Sequence, residues 1–427
     1  MNPALAVAYE GAARLAHALS SIAPPSRHKL LATFAERRGV VARYAAFARD
    51  PARPLLWMHA PSVGEGLQAR PILQLARSRR PALQLAYTYF SPSARAFAAG
   101  LEVDFRDALP FDATPDMRAA LSALAPTALV FSKLDVWPTL VREAAARRTR
   151  LGMVSATLAE ASSRRSPIAS SLLRESYARI ERVGAISAED ADRLVSLGVP
   201  ASRVYVTGDT RYDQVWARAR EANREGGLAA SLRATGRFTL VAGSTWPADE
   251  EQLLPAWARF AIRHATHRPR LVIAAHEPTP AHLAPIERWA ASAGLRAARL
   301  ADDAAGVADV VIVDRVGVLG DLYALADVAF VGGGFHAAGL HSVLEPAAFG
   351  TPVLFGPRHQ ASRDASLLLD ADAAVSVSDE KELHRAVERW LTDPDARLAA
   401  GAAAKRIVHA GLGAAERSWR LVEGLLQ

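Results

Sequence analysis

Asp327-Val328-Ala329-Phe330-Val331-Gly332-Gly333-Gly334 is a short apolar run that ends in three glycines. Uninterrupted Val, Ala and Phe suit a strand buried on both faces, as strands of a parallel sheet are. Glycines at its carboxyl end let the backbone bend and approach a ligand closely. The run is not a dinucleotide fingerprint, because the next glycine after Gly334 is Gly339, and no Gly-Lys-Ser/Thr follows to make it a P-loop. A strand, glycine bend and helix in succession predict an α/β unit whose free helix-start amides favour a nucleotide phosphate. Downstream, Ser342-x-x-Glu345 matches a capping box, so Glu345 equally fits a helix terminus. The loop Gly356-Pro357-Arg358-His359-Gln360 ends another apolar run and is placed to close on the same ligand.

Similar runs recur outward from this point. One set comprises Leu55–His59, Leu83–Tyr87, Ala128–Phe131, Leu151–Ser155, Val183–Ile186 and Val204–Thr207. A second comprises Phe238–Ala242, Leu271–Ala274, Val310–Val313, Val328–Val331, Val353–Phe355 and Ala374–Val377. Ala- and Arg-rich helical stretches alternate with them, which predicts two doubly wound domains with parallel sheets. The expected division is an amino-terminal region 1–53 belonging to the first domain, a Rossmann-like domain 54–212, a linker 213–236 and a second Rossmann-like domain 237–427. In such sheets ligands bind beyond the carboxyl ends of the strands, so functional residues are sought just after each run.

Four such places carry polar groups. Leu55–His59 runs into Ser62-Val63-Gly64-Glu65-Gly66, where glycines admit close approach and a carboxylate near a helix start is held as its anion, suited to a general base or simply to the helix dipole. Ala128–Phe131 leads to Lys133, Asp135, Trp137 and Pro138. Strand alternation aims Lys133 and Asp135 the same way, either as a surface ion pair or as a site for a charged sugar. Only four lysines occur, Lys29, Lys133, Lys381 and Lys405, so a compact ammonium at a strand end stands out against the arginine bias. Phe238–Ala242 leads to Gly243-Ser244-Thr245, which offers two hydroxyls before the acidic helix start Asp249, Glu250 and Glu251. Leu271–Ala274 leads to His276-Glu277 at the same rim.

Composition narrows the partners. A formal charge of +7 favours an anionic one, and the absence of cysteine excludes disulfides, thiolate nucleophiles and Cys-type metal sites. No cofactor and no metal cluster is implied. Aromatic residues make up 7% and show no interleaved stacking motif, so nucleic acid is not expected.

At the amino terminus, Leu5, Ala8, Ala12, Leu15, Leu19 and Ile22 recur with helical period opposite Glu10, Arg14 and His17. The stretch stops at Pro24 and Pro25, too polar for a bilayer span, and no basic residue precedes Ala4 to start a secretory signal. Arg27, Lys29, Arg37, Arg38, Arg43, Arg49 and Arg53 follow. The region reads either as a helix lying on an anionic membrane surface or as one packed on its own domain.

Together these segments resemble the 3-deoxy-D-manno-oct-2-ulosonic acid (Kdo) transferases, bacterial GT-B glycosyltransferases. The likeness rests on Ser62-Val63-Gly64-Glu65, Lys133-x-Asp135-x-Trp137-Pro138, Val206-Thr207-Gly208-Asp209, Gly243-Ser244-Thr245, His276-Glu277, Gly332-Gly333-Gly334 and His341-Ser342-x-Leu344-Glu345. It implies two Rossmann-like domains facing each other across a cleft, a CMP-Kdo donor, a lipid A precursor as acceptor and the cytoplasmic face of the inner membrane as location. It also implies Glu65 as catalytic base of an inverting displacement. Ser244, Thr245, His276, Glu277, Gly332, Gly333, Gly334, His341, Ser342 and Glu345 are then expected at the donor, and Ser62, Gly64, Lys133 and Asp135 at sugar or acceptor. The family pattern more often has Asn at Ser342, two glutamates at Lys133 and Asp135, Arg at Ala275, and Asn-Phe at Ala361-Ser362. The alternative is another GT-B enzyme using a UDP-sugar, a transferase or a 2-epimerase.

Overall fold

Central strands form where branched and aromatic residues run without a break, because a strand covered on both faces gains from every side chain. The computed structural model describes residues 3–24, 26, 28–159, 162, 164, 166–222, 232 and 236–427. Pro25, Arg27 and most of the expected linker after residue 222 lie outside them. The strands are β1 Leu55–His59, β2 Gln84–Tyr89, β3 Phe105–Ala108, β4 Ala128–Ser132, β5 Arg150–Ala156, β6 Arg182–Ala185 and β7 Val204–Val206, then β8 Thr239–Thr245, β9 Arg270–Ala275, β10 Ala297–Arg299, β11 Val310–Ile312, β12 Val328–Val331, β13 Val353–Phe355 and β14 Ala374–Ser376. They make two seven-stranded sheets, ordered β3-β2-β1-β4-β5-β6-β7 and β10-β11-β9-β8-β12-β13-β14. Neighbours pair in parallel, as in β1 with β4 and β8 with β12.

The order turns outward in both directions from β1/β4 in the first sheet and from β8/β12 in the second, where β10 lies outside β11 at the far edge. Those are the switch points where a crevice opens beyond the strand ends. All five residues of β1 and all four of β12 are buried.

The chain divides into two units, 1–214 with 412–427, and 215–411. The closing helix Ala414–Glu423 therefore returns to the first unit, where the expected 237–427 division had placed it in the second. Trp419, Val422 and Leu425 join Leu56, Met58 and Val130 in one core. Asp213 fixes the helix start by accepting the amides of Gly413 and Ala415, each at 2.7 Å. The segment Val206-Thr207-Gly208-Asp209 is structural in the same way. Buried Asp209 accepts from Gln68 Nε2 at 3.2 Å and from Arg211 Nε at 2.8 Å.

The amino-terminal helix Pro3–Ile22 docks by its polar side. Tyr9 donates to Asp112 at 2.9 Å, Thr114 Oγ1 donates to Glu10 at 2.8 Å, and His17 pairs with Asp116 at 2.7 Å. Burial pushes the Asp112 carboxyl up to about 7. The helix is thus packed on its own domain, as one of the two readings had it, while Val7, Leu15, Leu19 and Ile22 on its other side are exposed. The basic run behind it is largely occupied internally. Arg37 is 2% exposed and its guanidinium lies 3.9 Å from the centre of the Phe90 ring, Arg43 pairs with Asp107, and Arg49 and Arg53 bind backbone carbonyls.

Candidate active site

In the first unit, β1 ends at the switch point and Ser62 caps the helix Val63–Arg79, which puts Glu65 in its first turn. The Ser62 hydroxyl does not accept a backbone amide; it donates to the Glu65 carboxylate. From the end of β4, Lys133 Nζ reaches Glu65 Oε1 at 3.4 Å, and Ser132 Oγ donates to the Glu65 carbonyl at 2.9 Å. Strands β1 and β4 therefore bring together Ser62, Glu65 and Lys133, three residues expected from the sequence. Gly64 is exposed, and a Cβ there would meet nothing nearer than 3.8 Å. Gly66 serves packing, because its Cβ would lie 2.5 Å from the Phe97 ring.

Strand alternation does not extend to Lys133, whose φ of 67° is left-handed. The ammonium turns to Glu65 while Asp135 pairs with Arg164, so Lys133 and Asp135 have separate partners. Burial raises the Asp135 carboxyl, opposed by Arg164 and reinforced by Glu65. Beneath the site lies a polar pair with no obvious sequence signal. Trp137 Nε1 donates to His59 Nε2 at 3.1 Å, and His59 Nδ1 meets Thr88 Oγ1 at 2.9 Å. An indole N–H only donates, so His59 carries its proton on Nδ1. Burial, with Arg37 adding to it, lowers its pKa to about 3.

In the second unit the glycine bend does something other than expected. Its amides are largely taken: Gly332 N donates to Gly243 O at 2.9 Å, Gly333 N to Asp249 Oδ2 at 2.7 Å and Phe335 N to Asp249 Oδ1 at 3.0 Å. Asp249, fully buried, is the organising residue that the reading as an acidic helix start missed. Close approach is real, but to the protein's own backbone. A Cβ on Gly332 would lie 2.2 Å from Ser244 O, and one on Gly334 2.4 Å from Gly356 N. Gly333, at φ 92°, needs glycine for its conformation. The following helix is only the five residues Leu344–Ala348, capped by the Val343 position with no side-chain bond, so the capping box of Ser342 and Glu345 does not form. Glu345 is half-buried, and burial raises its carboxyl against the pull of Arg218. Ser342 and Glu277 are exposed.

Thr245 also departs from expectation. A register shift between Gly243 and Thr245, with Ser244 left-handed at φ 55°, turns Thr245 inward. Its hydroxyl donates to Glu250 at 2.8 Å, and Glu250 also meets His282 at 3.0 Å. Ser244 remains partly exposed at the rim.

What gathers there instead is an aromatic group around Trp246. Its ring stacks on His276 at 4.5 Å and on His336 at 4.1 Å, while His276 stacks on His341 at 4.6 Å. Trp246 Nε1 donates to His341 Nε2 at 3.0 Å. His336 Nδ1 accepts from Ala338 N at 3.1 Å. Burial lowers the His341 pKa, as do His276 and His336, against Asp249. Trp246 and His336 had no assigned role in the sequence reading. Among the described residues no group of three or more His, Asp and Glu is arranged to hold a metal ion.

Two parallel sheets, each with its polar cluster beyond the strand ends at the reversal of strand order, define the GT-B class of glycosyltransferase fold. A UDP-GlcNAc 2-epimerase from Neisseria meningitidis bound to UDP-GlcNAc superposes with a TM-score of 0.59 at 13% identity, over 84% of this chain and 99% of that one, which shows the shared fold. Residues 32–214 match the family model for 3-deoxy-D-manno-octulosonic-acid transferase (kdotransferase), and residues 341–423 match one for a glycosyl transferase-like domain. The 3-deoxy-D-manno-octulosonic acid transferase of Bordetella pertussis is 31% identical over 397 residues, 90% of each chain. That of Chlamydia muridarum (strain MoPn / Nigg) is 27% identical over 377 residues, 87% of this chain and 86% of that one. The chain belongs to the 3-deoxy-D-manno-octulosonic acid transferase family.

Proposed function

We propose that the protein transfers Kdo from CMP-Kdo to a hydroxyl of a lipid A precursor in lipopolysaccharide core assembly, with inversion at the anomeric carbon. The observation that carries this reading is the Glu65 carboxylate at the β1/β4 switch point, hydrogen-bonded by Ser62 and ion-paired with Lys133. Glu65 takes the proton of the acceptor hydroxyl as its oxygen bonds to the anomeric carbon. The bond from that carbon to the CMP phosphate breaks, and CMP departs with the electron pair. Ser62 and Lys133 hold the base in place, and Gly64 leaves open space before it. The donor lies with Ser244, His276, Ser342 and His341 of the second unit, and the glycine bend supports that rim from below. With most of the bend's amides taken, the imidazole N–H groups and serine hydroxyls of the rim serve the leaving phosphate. The likeness over most of the chain to the Kdo transferases of Bordetella pertussis and Chlamydia muridarum favours this reading over the UDP-sugar alternative.

Glu65→Gln keeps the shape and removes the base. Turnover of CMP-Kdo, generated in situ, onto a tetraacylated lipid A precursor is expected to fall by roughly 10²- to 10⁴-fold, with an unchanged melting temperature and retained CMP binding. Retained turnover removes Glu65 from the role. Tighter binding of UDP than CMP moves the donor to the alternative class.

No helix among the described residues is long and apolar enough to cross a membrane. We place the protein at the cytoplasmic face of the inner membrane through the helix Pro3–Ile22, whose Val7 and Ile22 are 73% and 74% exposed, continued by Leu30 and Leu31 on the next helix. Burying one such side chain contributes about 1.5–3 kcal/mol, so the variant Leu15→Glu/Ile22→Glu is expected to lose co-sedimentation with anionic phospholipid vesicles by roughly 100-fold or more. Unchanged sedimentation overturns this placement.

A further inference from the structure

We propose that Trp246 is a positioning residue for the sugar nucleotide: its indole N–H fixes His341 as the neutral Nδ1–H tautomer, so that His341 offers one hydrogen-bond donor to an oxyanion of the donor. The inference rests on the reading of this rim as the donor site and adds which atom acts and what sets it.

The geometry leaves little freedom. An indole N–H can only donate, so the nitrogen 3.0 Å away, His341 Nε2, must present its lone pair. A neutral imidazole then has its proton on Nδ1. Turning the ring over would set Cε1 against the indole N–H and lose the bond. Gly333 accommodates the same edge of the ring, since even a Cβ there would lie 3.2 Å from Cδ2. With the Nε2 and Cδ2 edge against the protein, Nδ1–H is left over, and among the described residues nothing accepts from it. The groups that face the ring are His276, His336, Asp249 and Trp246. Burial and the two neighbouring imidazoles favour the neutral ring, and Asp249 opposes them.

Trp246→Phe keeps an aromatic ring for His276 and His336 and removes the N–H together with the five-membered ring that carries it. His341 is then free to put its proton on Nε2, the form that unconstrained histidine side chains favour. Nδ1 would turn from a donor into a lone pair aimed at an anion. Losing a hydrogen bond to a charged group lowers kcat/KM for CMP-Kdo by roughly 10- to 100-fold at pH 8. Acid restores the donor, because imidazolium carries a proton on both nitrogens. The gap between wild type and variant is therefore expected to narrow toward pH 6. A purely structural role of Trp246 gives the same ratio at both pH values, and that result overturns the proposal.

A second variant guards against a folding defect. In His341→Asn the amide nitrogen replaces Nδ1 without depending on Trp246, so Trp246→Phe is expected to change kcat/KM less than threefold in that background. An undiminished loss there also overturns the proposal. A readout without donor is ¹⁵N NMR of the full chain labelled at histidine. The wild type is expected to show His341 Nδ1 protonated and Nε2 unprotonated at pH 8, and Trp246→Phe to lose that pattern. The opposite tautomer in the wild type overturns the proposal even if turnover is normal. The expected tautomer with no CMP-Kdo turnover by the wild type upholds the Trp246 lock and removes the functional reading on which its purpose rests.

Discussion

Each unit contains a tryptophan that donates its indole N–H to Nε2 of a histidine, and the two histidines end differently. In the first, His59 is 0% exposed and its Nδ1–H is taken by Thr88 Oγ1, which also accepts from Trp57 Nε1 at 2.8 Å. Every polar atom of the ring is satisfied inside the core. In the second, His341 is half-buried and fixed at Nε2 by Trp246 in the same way, and among the described residues nothing accepts from its Nδ1–H. The same pair thus acts as a closed buttress in one place and as an open hand in the other. The difference lies in the strand neighbours. His59 sits within β1, between β2 and β4, whereas His341 lies on a loop beyond the end of β12.

The largest separation is expected from truncating each ring. His59→Ala leaves a void and strands Trp137 and Thr88, which costs about 3–5 kcal/mol by analogy with other large buried rings. His341→Ala opens no core void and is expected to cost less than about 1 kcal/mol while lowering kcat/KM by roughly 10-fold or more. Urea unfolding of both variants alongside CMP-Kdo turnover checks the pair. Equal stability losses would mean that both histidines are structural. A smaller effect comes from the tryptophan on the closed side. Trp137→Phe leaves the His59 Nε2 lone pair buried without a donor, a penalty of about 1–3 kcal/mol. That corresponds to a fall in melting temperature of roughly 2–4 °C per kcal/mol; an unchanged melting temperature would show that water reaches the ring.

Neither pair was legible in the sequence, because nothing in the spacing of His59 and Trp137, or of Trp246 and His341, connects them; strand order does. What spacing did convey was the interior of each sheet. Leu55–His59, Val328–Val331 and Val353–Phe355 were read at their observed bounds, since strands buried on both faces are unbroken apolar runs. Of the four edge strands, β7 and β14 were read and β3 and β10 were missed. Phe105–Ala108 contains Arg106 and Asp107, and Ala297–Arg299 is three residues long with both ends exposed. An edge has one neighbour and less to bury, so charged residues are tolerated in it and an apolar run is not required, although β7 keeps one. The cluster of Ser62, Glu65 and Lys133 followed from placing charged residues after strands, a rule that holds wherever the switch point falls. It failed at Thr245, where one left-handed residue reverses the alternation, and at the glycine bend. Close approach by a ligand and close approach by the chain's own backbone demand the same glycines, and only the position of Asp249 distinguishes them.

A further effect, of similar size per pH unit, tests the closed pair through its protons. His59 has a folded pKa near 3, against about 6.5 for an unfolded histidine. Between those values the unfolded chain binds a proton that the folded one refuses. The stability that His59 contributes is therefore complete above about pH 6.5 and is lost as the pH falls toward 3, with a slope of about 1.4 kcal/mol per pH unit. Asp112, lifted to about 7 from an ordinary carboxyl value, works with the opposite sign: its contribution is complete at low pH and is lost as the pH rises through the same window. The two slopes offset each other in the whole protein, so a wild-type pH profile alone reveals neither. The stability difference between wild type and His59→Ala isolates one of them, because Asp112 is common to both. That difference is expected to shrink steadily on acidification from pH 6.5 to 4.5. A constant difference across that range would mean that His59 accepts a proton while folded, and the distinction between a sealed imidazole and an available one would then disappear.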